Sequence, residues 1–270
     1  IVASLLHDAG ALSLEERIDA LDFDMQDLNY HANVGYCLLN RNQSFKRVAE
    51  IIRYHHLDWK DKHKYEESGI EIPIESFIVN VVDRIDVLTN YRKDLRSQVN
   101  FIIERINKEK GIKFNPLIID VFKDVIKEYL DLPKLDEEAL LVIFEGFLKD
   151  QYLDIDEVVD VTGIFENIID FRSRFTSTHS SGVAATASVL GDIMGLSERH
   201  GKLLRIAGQL HDLGKLGVPG FILEKPGKLT DEEMEIMRKH ALYTYQVLTK
   251  VRGFEVIPEW AAFHHEKLNG

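Results

Sequence analysis

The sequence predicts an all-α protein built from two copies of one helical domain. Three observations carry that expectation. Apolar residues recur at helical spacing along most of the chain, the prolines fall between those stretches, and three short motifs occur twice in the same order.

Taken in order, the chain opens at Ile1 straight into an apolar segment (IVASLLHD) and stops at Gly270 just after a His-His pair, and it reads as a portion of something longer. Helical patterns run over 45–54, 76–90, 117–130, 137–149, 157–171, 180–194, 201–210 and 232–250. In 201–210, Leu203, Leu204, Ala207 and Leu210 form one apolar face. Thr230 followed by Asp231, Glu232 and Glu233 reads as a helix start, with acidic groups at the positive end of the helix dipole. Pro73, Pro116, Pro133, Pro219, Pro226 and Pro258 lie between helical stretches, where a missing N–H costs least. No segment alternates with a period of two. The stretch DKHKYEESG (61–69) reads as a charged loop with a solvated His63, and His200 reads as a surface residue. Cys37 falls in an apolar helix and reads as a small buried hydrophobe.

Composition narrows the function. The 270 residues are 45% hydrophobic and 29% charged, without a run long enough to span a membrane and without a signal peptide. A single cysteine excludes an internal disulfide framework and fits a reducing compartment, so the expected location is cytoplasmic. The net charge of −12 argues against DNA or RNA polymers as partners, which need a basic footprint, but leaves room for a small anionic ligand.

The repeats are LLHDAG (5–10) with QLHDLG (209–214), YHANVGYCLL (30–39) with KHALYTYQVL (239–248), and RYHHLDW (53–59) with AFHHEKL (262–268). From His31 to His55 is 24 positions, and from His240 to His264 is again 24. The expected domains are therefore 1–130, a helical junction over 131–160, and 161–270.

Histidines and aspartates in such a set suit Fe, Mn, Zn or Ni better than Mg or Ca. Two ions about 3.5–4 Å apart can clamp a phosphoryl group for in-line attack, and a carboxylate that touches both must sit between them. Asp212 is the candidate bridge. A His-Asp pair alone is a weak signal. Followed by Gly214-Lys215, a spaced His and then His-His, it is strong.

The run HDLGKLGVPGFILEKPGKLTDEEMEIMRKH (211–240) with HHEKLNG (264–270) resembles the HD-GYP branch of the HD metal-dependent phosphohydrolases, from about residue 172 onward. The resemblance implies a bacterial phosphodiesterase opening cyclic di-GMP or 3′,3′-cyclic GMP-AMP to the linear dinucleotide. It implies two divalent transition metals, Fe or Mn before Zn or Ni, held by His179, His211, Asp212, His240, His264 and His265. Asp212 and Lys215 are the catalytic candidates, Lys215 matching the lysine that contacts the scissile phosphate. The Gly-Tyr-Pro loop and a last Asp ligand are expected beyond Gly270. Phe175 stands where a third-metal Glu would be, which favours two ions.

Residues 2–126 also resemble an HD domain, with His7, Asp8, His31, His55, His56 and Asp83 matching the ligand pattern. The lysine position is Ala11, and the helix expected to carry a first His would precede Ile1, so this half reads as a degenerate copy that still retains ligands. Two rival functions stand beside the phosphodiesterase: hydrolysis of another nucleotide, and a non-catalytic module that binds signalling proteins. A homodimer is compatible with each.

Overall fold

A computed structural model describes residues 1–11, 14–25, 28–129, 152–172 and 179–269, together with Val142 and Gly146. Phe175, and most of both the predicted 137–149 helix and the 131–160 junction, lie outside the described residues. The chain divides into two compact units, Ile1–Gln151 and Tyr152–Gly270. Among the described residues, regular structure is helical, the one exception being an isolated bridge between Lys110 and Phe114.

The first unit runs through α1 (Val2–Leu6), α2 (Leu14–Ala20), α3 (Asn29–Leu39), α4 (Lys46–Arg53), α5 (Lys62–Glu67), α6 (Ile74–Leu88), α7 (Val99–Lys108) and α8 (Pro116–Tyr129). Its core joins Phe23, Val81, Ile102, Ile106, Phe114 and Ile119, with a second cluster of Tyr54, Leu57, Ile72 and Phe77. Two expectations are corrected here. The 61–69 stretch is not simply a loop: it holds α5, and His63 sits in that helix, exposed as expected. Cys37 is exposed, because α3 buries His31, Ala32, Gly35, Leu38 and Leu39 and turns Cys37 away from that face.

The second unit comprises α9 (Ile155–Arg172), α10 (His179–Ile193), α11 (Glu198–Leu210), α12 (Gly220–Leu223), α13 (Asp231–Leu248) and α14 (Ile257–Ala262). Ile206, Ala207, Leu210, Leu248, Ile257 and Ala261 form its core, and Ile155, Val158 and Val159 of α9 pack against it. Small residues bring α10 and α11 close: a Cβ on Gly208 would meet Ala184 Cα at 2.6 Å. Helix α13 starts where the acidic run predicts. Thr230 caps it, and Glu233 closes a reciprocal capping box. Lys225, just before Pro226-Gly227, forms an ion pair with that same Glu233. Two prolines lie in the first turns of helices rather than between them, Pro116 opening α8 and Pro258 following Ile257 in α14.

Candidate metal centres

Each unit gathers its histidines and aspartates from four places on the fold. In the first unit, His7 and Asp8 follow α1, His31 lies on α3, His55 and His56 follow α4, and Asp83 lies on α6. In the second, His179 opens α10, His211 and Asp212 follow α11, His240 lies on α13, and His264 and His265 follow α14.

The two sets have the same internal geometry. Ring centroids of His55 and His56 stand 3.9 Å apart at 43°, and those of His264 and His265 4.0 Å apart at 46°. His31 meets His56 edge-on at 4.8 Å, and His240 meets His265 edge-on at 5.2 Å. His7 and His55 are 5.4 Å apart at 86°, and His211 and His264 are 4.8 Å apart at 85°. His179 joins its cluster through His211, at 5.3 Å.

A carboxylate divides each set in two. Asp212 turns Oδ2 towards His211 Nε2 (3.1 Å) and Oδ1 towards His240 Nε2 (3.5 Å). Asp8 turns Oδ2 towards His7 Nε2 (3.4 Å) and Oδ1 towards His31 Nε2 (3.3 Å) and His55 Nε2 (3.9 Å). Donor atoms of Asp8, His31, His55 and His56 lie within 4.8 Å of one another, as do those of His240, His264 and His265, and of His179, His211 and Asp212.

Helix geometry fixes the imidazole tautomers. His7, His55, His211, His240 and His264 each place Nδ1 2.6–2.7 Å from the carbonyl three residues earlier. A carbonyl only accepts, so Nδ1 carries the hydrogen and a neutral ring presents the Nε2 lone pair to the cluster. His55 Nε2 and His240 Nε2 are buried without a hydrogen-bond partner. Converging lone pairs that no donor satisfies are costly in a protein interior, and a shared cation relieves them. The donor sets therefore fit borderline divalent ions.

Protonation follows the same division. Burial pushes His55 and His264 down to about 4 and lowers His240 and His56, so these rings are neutral near pH 7. Burial opposes charge on His7 too, but the Asp83 hydrogen bond and the Asp8 and Asp83 charges raise it to about 9; Asp212 likewise raises His211 against burial. Burial favours a protonated carboxyl, yet the facing histidines hold Asp8 at about 2, and His211 with Lys215 holds Asp212 well below the usual range. Both carboxylates are ionised at neutral pH.

Residues to which the sequence reading gave no positioning role hold these groups in place. A Cβ on Gly214 would lie 1.9 Å from His240 O, and one on Gly10 would lie 2.1 Å from His31 O. A bare backbone at these two positions lets each His-Asp turn seat on the helix that carries the next ligand. Thr244, one turn after His240, accepts from Gly214 N (2.9 Å) and donates to His211 O (3.1 Å). Buried Asp170 accepts from Ser180 Oγ (2.5 Å), anchoring the helix start that carries His179. Arg84 donates to Asp83 Oδ2 (2.8 Å) and to Ala20 O (2.7 Å), leaving Asp83 Oδ1 facing His7 at 3.5 Å. The repeated glycine was the one readable signal among them, since it stands two residues after the aspartate in both copies.

The signature turns HDAGA (7–11) and HDLGK (211–215) differ at two positions, of which only the last changes the charge. Lys215 N and Ala11 N each donate to the aspartate carbonyl at 2.9 Å, so the backbones match. Only Lys215 carries a charge, with Nζ 2.6 Å from Asp212 Oδ2. A cavity of about 350 Å³ opens onto His7, Asp8 and Asp83 in the first unit.

HD domain family models match residues 1–88 and 163–270. Among curated proteins, the chain is 27% identical to 3′3′-cGAMP-specific phosphodiesterase 1 of Vibrio cholerae, over 98% of this chain and 64% of that protein. It is 30% identical to 3′3′-cGAMP-specific phosphodiesterase 3 of the same organism, over 80% and 47%. A cyclic di-GMP phosphodiesterase of Thermotoga maritima is 33% identical over 54% of this chain and 37% of that one. The chain thus spans about half to two thirds of the first two of these relatives. Among solved structures, a crystal structure of a cyclic GMP-AMP-specific phosphodiesterase of V. cholerae aligns with a TM-score of 0.62 at 24% identity, covering 96% of this chain and 70% of that one. That likeness establishes the shared all-α fold.

Proposed function

We propose that this chain, which carries two HD domains in tandem, is a metal-dependent phosphodiesterase that opens a cyclic dinucleotide, with turnover seated in the second unit. The observation that carries the reading is the Asp212 carboxylate, set between two groups of imidazoles with Lys215 Nζ at 2.6 Å. The names of the relatives support a cyclic dinucleotide, either 3′,3′-cyclic GMP-AMP or cyclic di-GMP.

His179, His211 and Asp212 would hold one ion, and Asp212, His240, His264 and His265 the other, with Fe or Mn preferred by the donor chemistry. Such ions supply Lewis acidity at a phosphoryl oxygen and make water a nucleophile at neutral pH. Asp212 stays ionised and offers one oxygen to each side. His211, His240 and His264 stay in the tautomer that aims Nε2 inward, because their Nδ1 hydrogens are committed to backbone carbonyls. Lys215 is a fixed positive charge beside the bridge, placed to offset negative charge growing on phosphate oxygens. Water adds across one P–O ester bond, so the products are a phosphate monoester and a free hydroxyl within one linear dinucleotide.

In the first unit, Asp8 and Asp83 give a carboxylate on both sides of His7, which supports metal binding there as well. With Ala11 in place of the lysine, that unit is read as a metal-holding copy of lower hydrolytic power. Among the described residues no helix is long and apolar enough to cross a membrane, and cytoplasmic hydrolysis by a monomer or a homodimer fits the reading.

The test measures bound metal and turnover of both cyclic dinucleotides for the wild type and Asp212→Ala. About two transition ions in the second unit and a linear product, both lost in the variant, support the proposal. A metal-free protein that consumes neither substrate in Fe- or Mn-supplemented reducing buffer makes the tandem a binding scaffold instead. Lys215→Ala should keep its metal and lose about 10²- to 10³-fold in kcat, the scale expected for removing one electrostatic stabiliser.

A further inference from the structure

A second cavity adjoins the first unit's cluster from the His56 side. It measures about 230 Å³, and Phe23, Leu28, Asn80, Lys60, Lys113 and Phe114 contribute to its wall along with His56. We propose that this cavity is a binding site for a nucleoside monophosphate, independent of the reaction in the second unit.

The first argument is an unsatisfied amide. Asn80 on α6 is only 6% exposed, lines the cavity, and has no side-chain hydrogen-bond partner among the described residues. A primary amide offers two donors and two acceptor sites, and here they open onto the cavity, where a ligand can reach them. The edge of a heterocyclic base supplies matching donors and acceptors.

The second argument is charge. In a chain of net charge −12, this wall carries Lys60, Arg84 and Lys113 against a single carboxylate, Asp58. Asp58 pairs with Lys60 at 3.1 Å, and Arg84 with Asp83 at 2.8 Å. Among the described residues no carboxylate pairs with Lys113, whose Nζ lies 5.9 Å from the centre of the Phe23 ring. The two lysine-bearing segments are clipped together by backbone bonds, Trp59 N to Lys113 O and Lys60 N to Ile112 O, each 2.9 Å. A cation left over on a preorganised wall calls for an anion.

The third argument is shape and polarity. Phe23, Leu28 and Phe114 contribute apolar wall suited to a flat ring, and Lys113 stands beside it, with Nζ 5.9 Å from the Phe23 ring centre. The volume falls below the roughly 300–1,000 Å³ of sites for drug-sized ligands. A cyclic dinucleotide is too large for it, and a single nucleotide is of the right order.

Calorimetric titration of the full chain with AMP, GMP and inorganic phosphate, in chelator so that metal coordination cannot carry binding, tests the site. One nucleotide should bind per chain, more tightly than phosphate alone. Lys113→Ala and Asn80→Ala should each weaken it by about tenfold or more, as expected for losing a charge-assisted or buried hydrogen bond. Asp212→Asn should leave the affinity in place. Lys113 is partly exposed, so its variant should keep the wild-type circular dichroism melt, which separates lost binding from lost folding. No heat at millimolar nucleotide overturns the proposal. So does equal affinity for phosphate alone, unchanged binding in Lys113→Ala, or binding lost in Asp212→Asn. The last of these would put the nucleotide in the second unit while leaving the phosphodiesterase reading untouched.

Discussion

At the scale of single residues, the histidines do two opposite things with protons, and stability should report both. In the metal-free protein, burial holds His55 at about 4, below its ordinary 6.5. The unfolded chain then binds more protons between those values, so the folded state loses stability as pH falls from 6.5 to 4. Burial also disfavours charge on His7, but Asp83 and Asp8 outweigh it and raise this group to about 9. Its contribution is complete below 6.5 and disappears as pH rises to 9. Thermal melts in chelator should therefore fall away on both sides of near-neutral pH. His7→Gln should flatten the alkaline side by on the order of 2 kcal/mol, since one pKa unit corresponds to about 1.4 kcal/mol, and should soften the acid side as well, because His7 helps to lower Asp83, Asp8 and His55. An alkaline limb identical in wild type and variant would show that the His7–Asp83 contact does not form in solution. Adding Mn²⁺ or Fe²⁺ should erase the alkaline limb as well, because a bound ion takes the place of the His7 proton.

Among elements, the contact that matters most is between the His-Asp turn and the helix bearing the next histidine. In each unit a glycine lets two backbones touch. A methyl at Gly214 would fall 1.9 Å from His240 O and 2.8 Å from Thr244 N, and neither atom can swing aside as a side-chain tip would. In Gly214→Ala, α13 must therefore back away from the turn, widening the 3.5 Å approach of His240 to Asp212. We expect a loss of about 2–3 kcal/mol, typical of forced overpacking, with metal content and turnover falling together. A variant that melts and turns over like wild type would mean the two backbones are not in contact. Thr244→Val is the gentler probe. It keeps the volume and removes the hydroxyl between Gly214 N and His211 O, so it should cost about 1–2 kcal/mol. This element contact also marks the limit of the sequence. Period and composition announced α4, α6, α8, α9, α10, α11 and α13 to within a few residues, because each carries apolar residues at helical spacing. Helices α1, α2, α5, α7, α12 and α14 went unannounced: five of them are short, while α7 buries Val99, Ile102 and Ile106 at a helical spacing that the reading passed over. Cys37 was misread because an apolar stretch does not say which way each residue of its helix faces. The ligand residues were readable through repetition. Arg84, Asp170 and Thr244 were not, since their roles depend on partners distant in sequence or on backbone atoms that carry no side-chain signature.

For the molecule as a whole, the duplication is a physical fact before it is a functional one. Two stretches that share only short motifs place their imidazole pairs at matching distances and angles, because the same turn, glycine and i−3 carbonyl bonds recur. What separates the units is charge placement. The first has Asp83 facing His7 and Ala11 where a lysine could stand; the second has Lys215 against Asp212. Matching donor sets should bind similar ions, and unequal charge should give unequal hydrolysis. Each unit has its own compact core and its own donor set, so substitutions in the two clusters should act independently, as sites without shared partners do. Asp8→Asn and Asp212→Asn should each lower the bound metal by its own step, and the double variant by the sum of the two. Turnover should divide differently. It should fall by about 10³-fold or more in Asp212→Asn, which loses a bridging charge at the reacting site, and by far less in Asp8→Asn. Metal analysis by mass spectrometry beside product chromatography reads both quantities on the same samples. If Asp8→Asn leaves the metal content unchanged, the first cluster holds no ion, and its buried imidazole lone pairs need another explanation. If it abolishes turnover as fully as Asp212→Asn does, the two units do not act independently, and the lysine is not what distinguishes them.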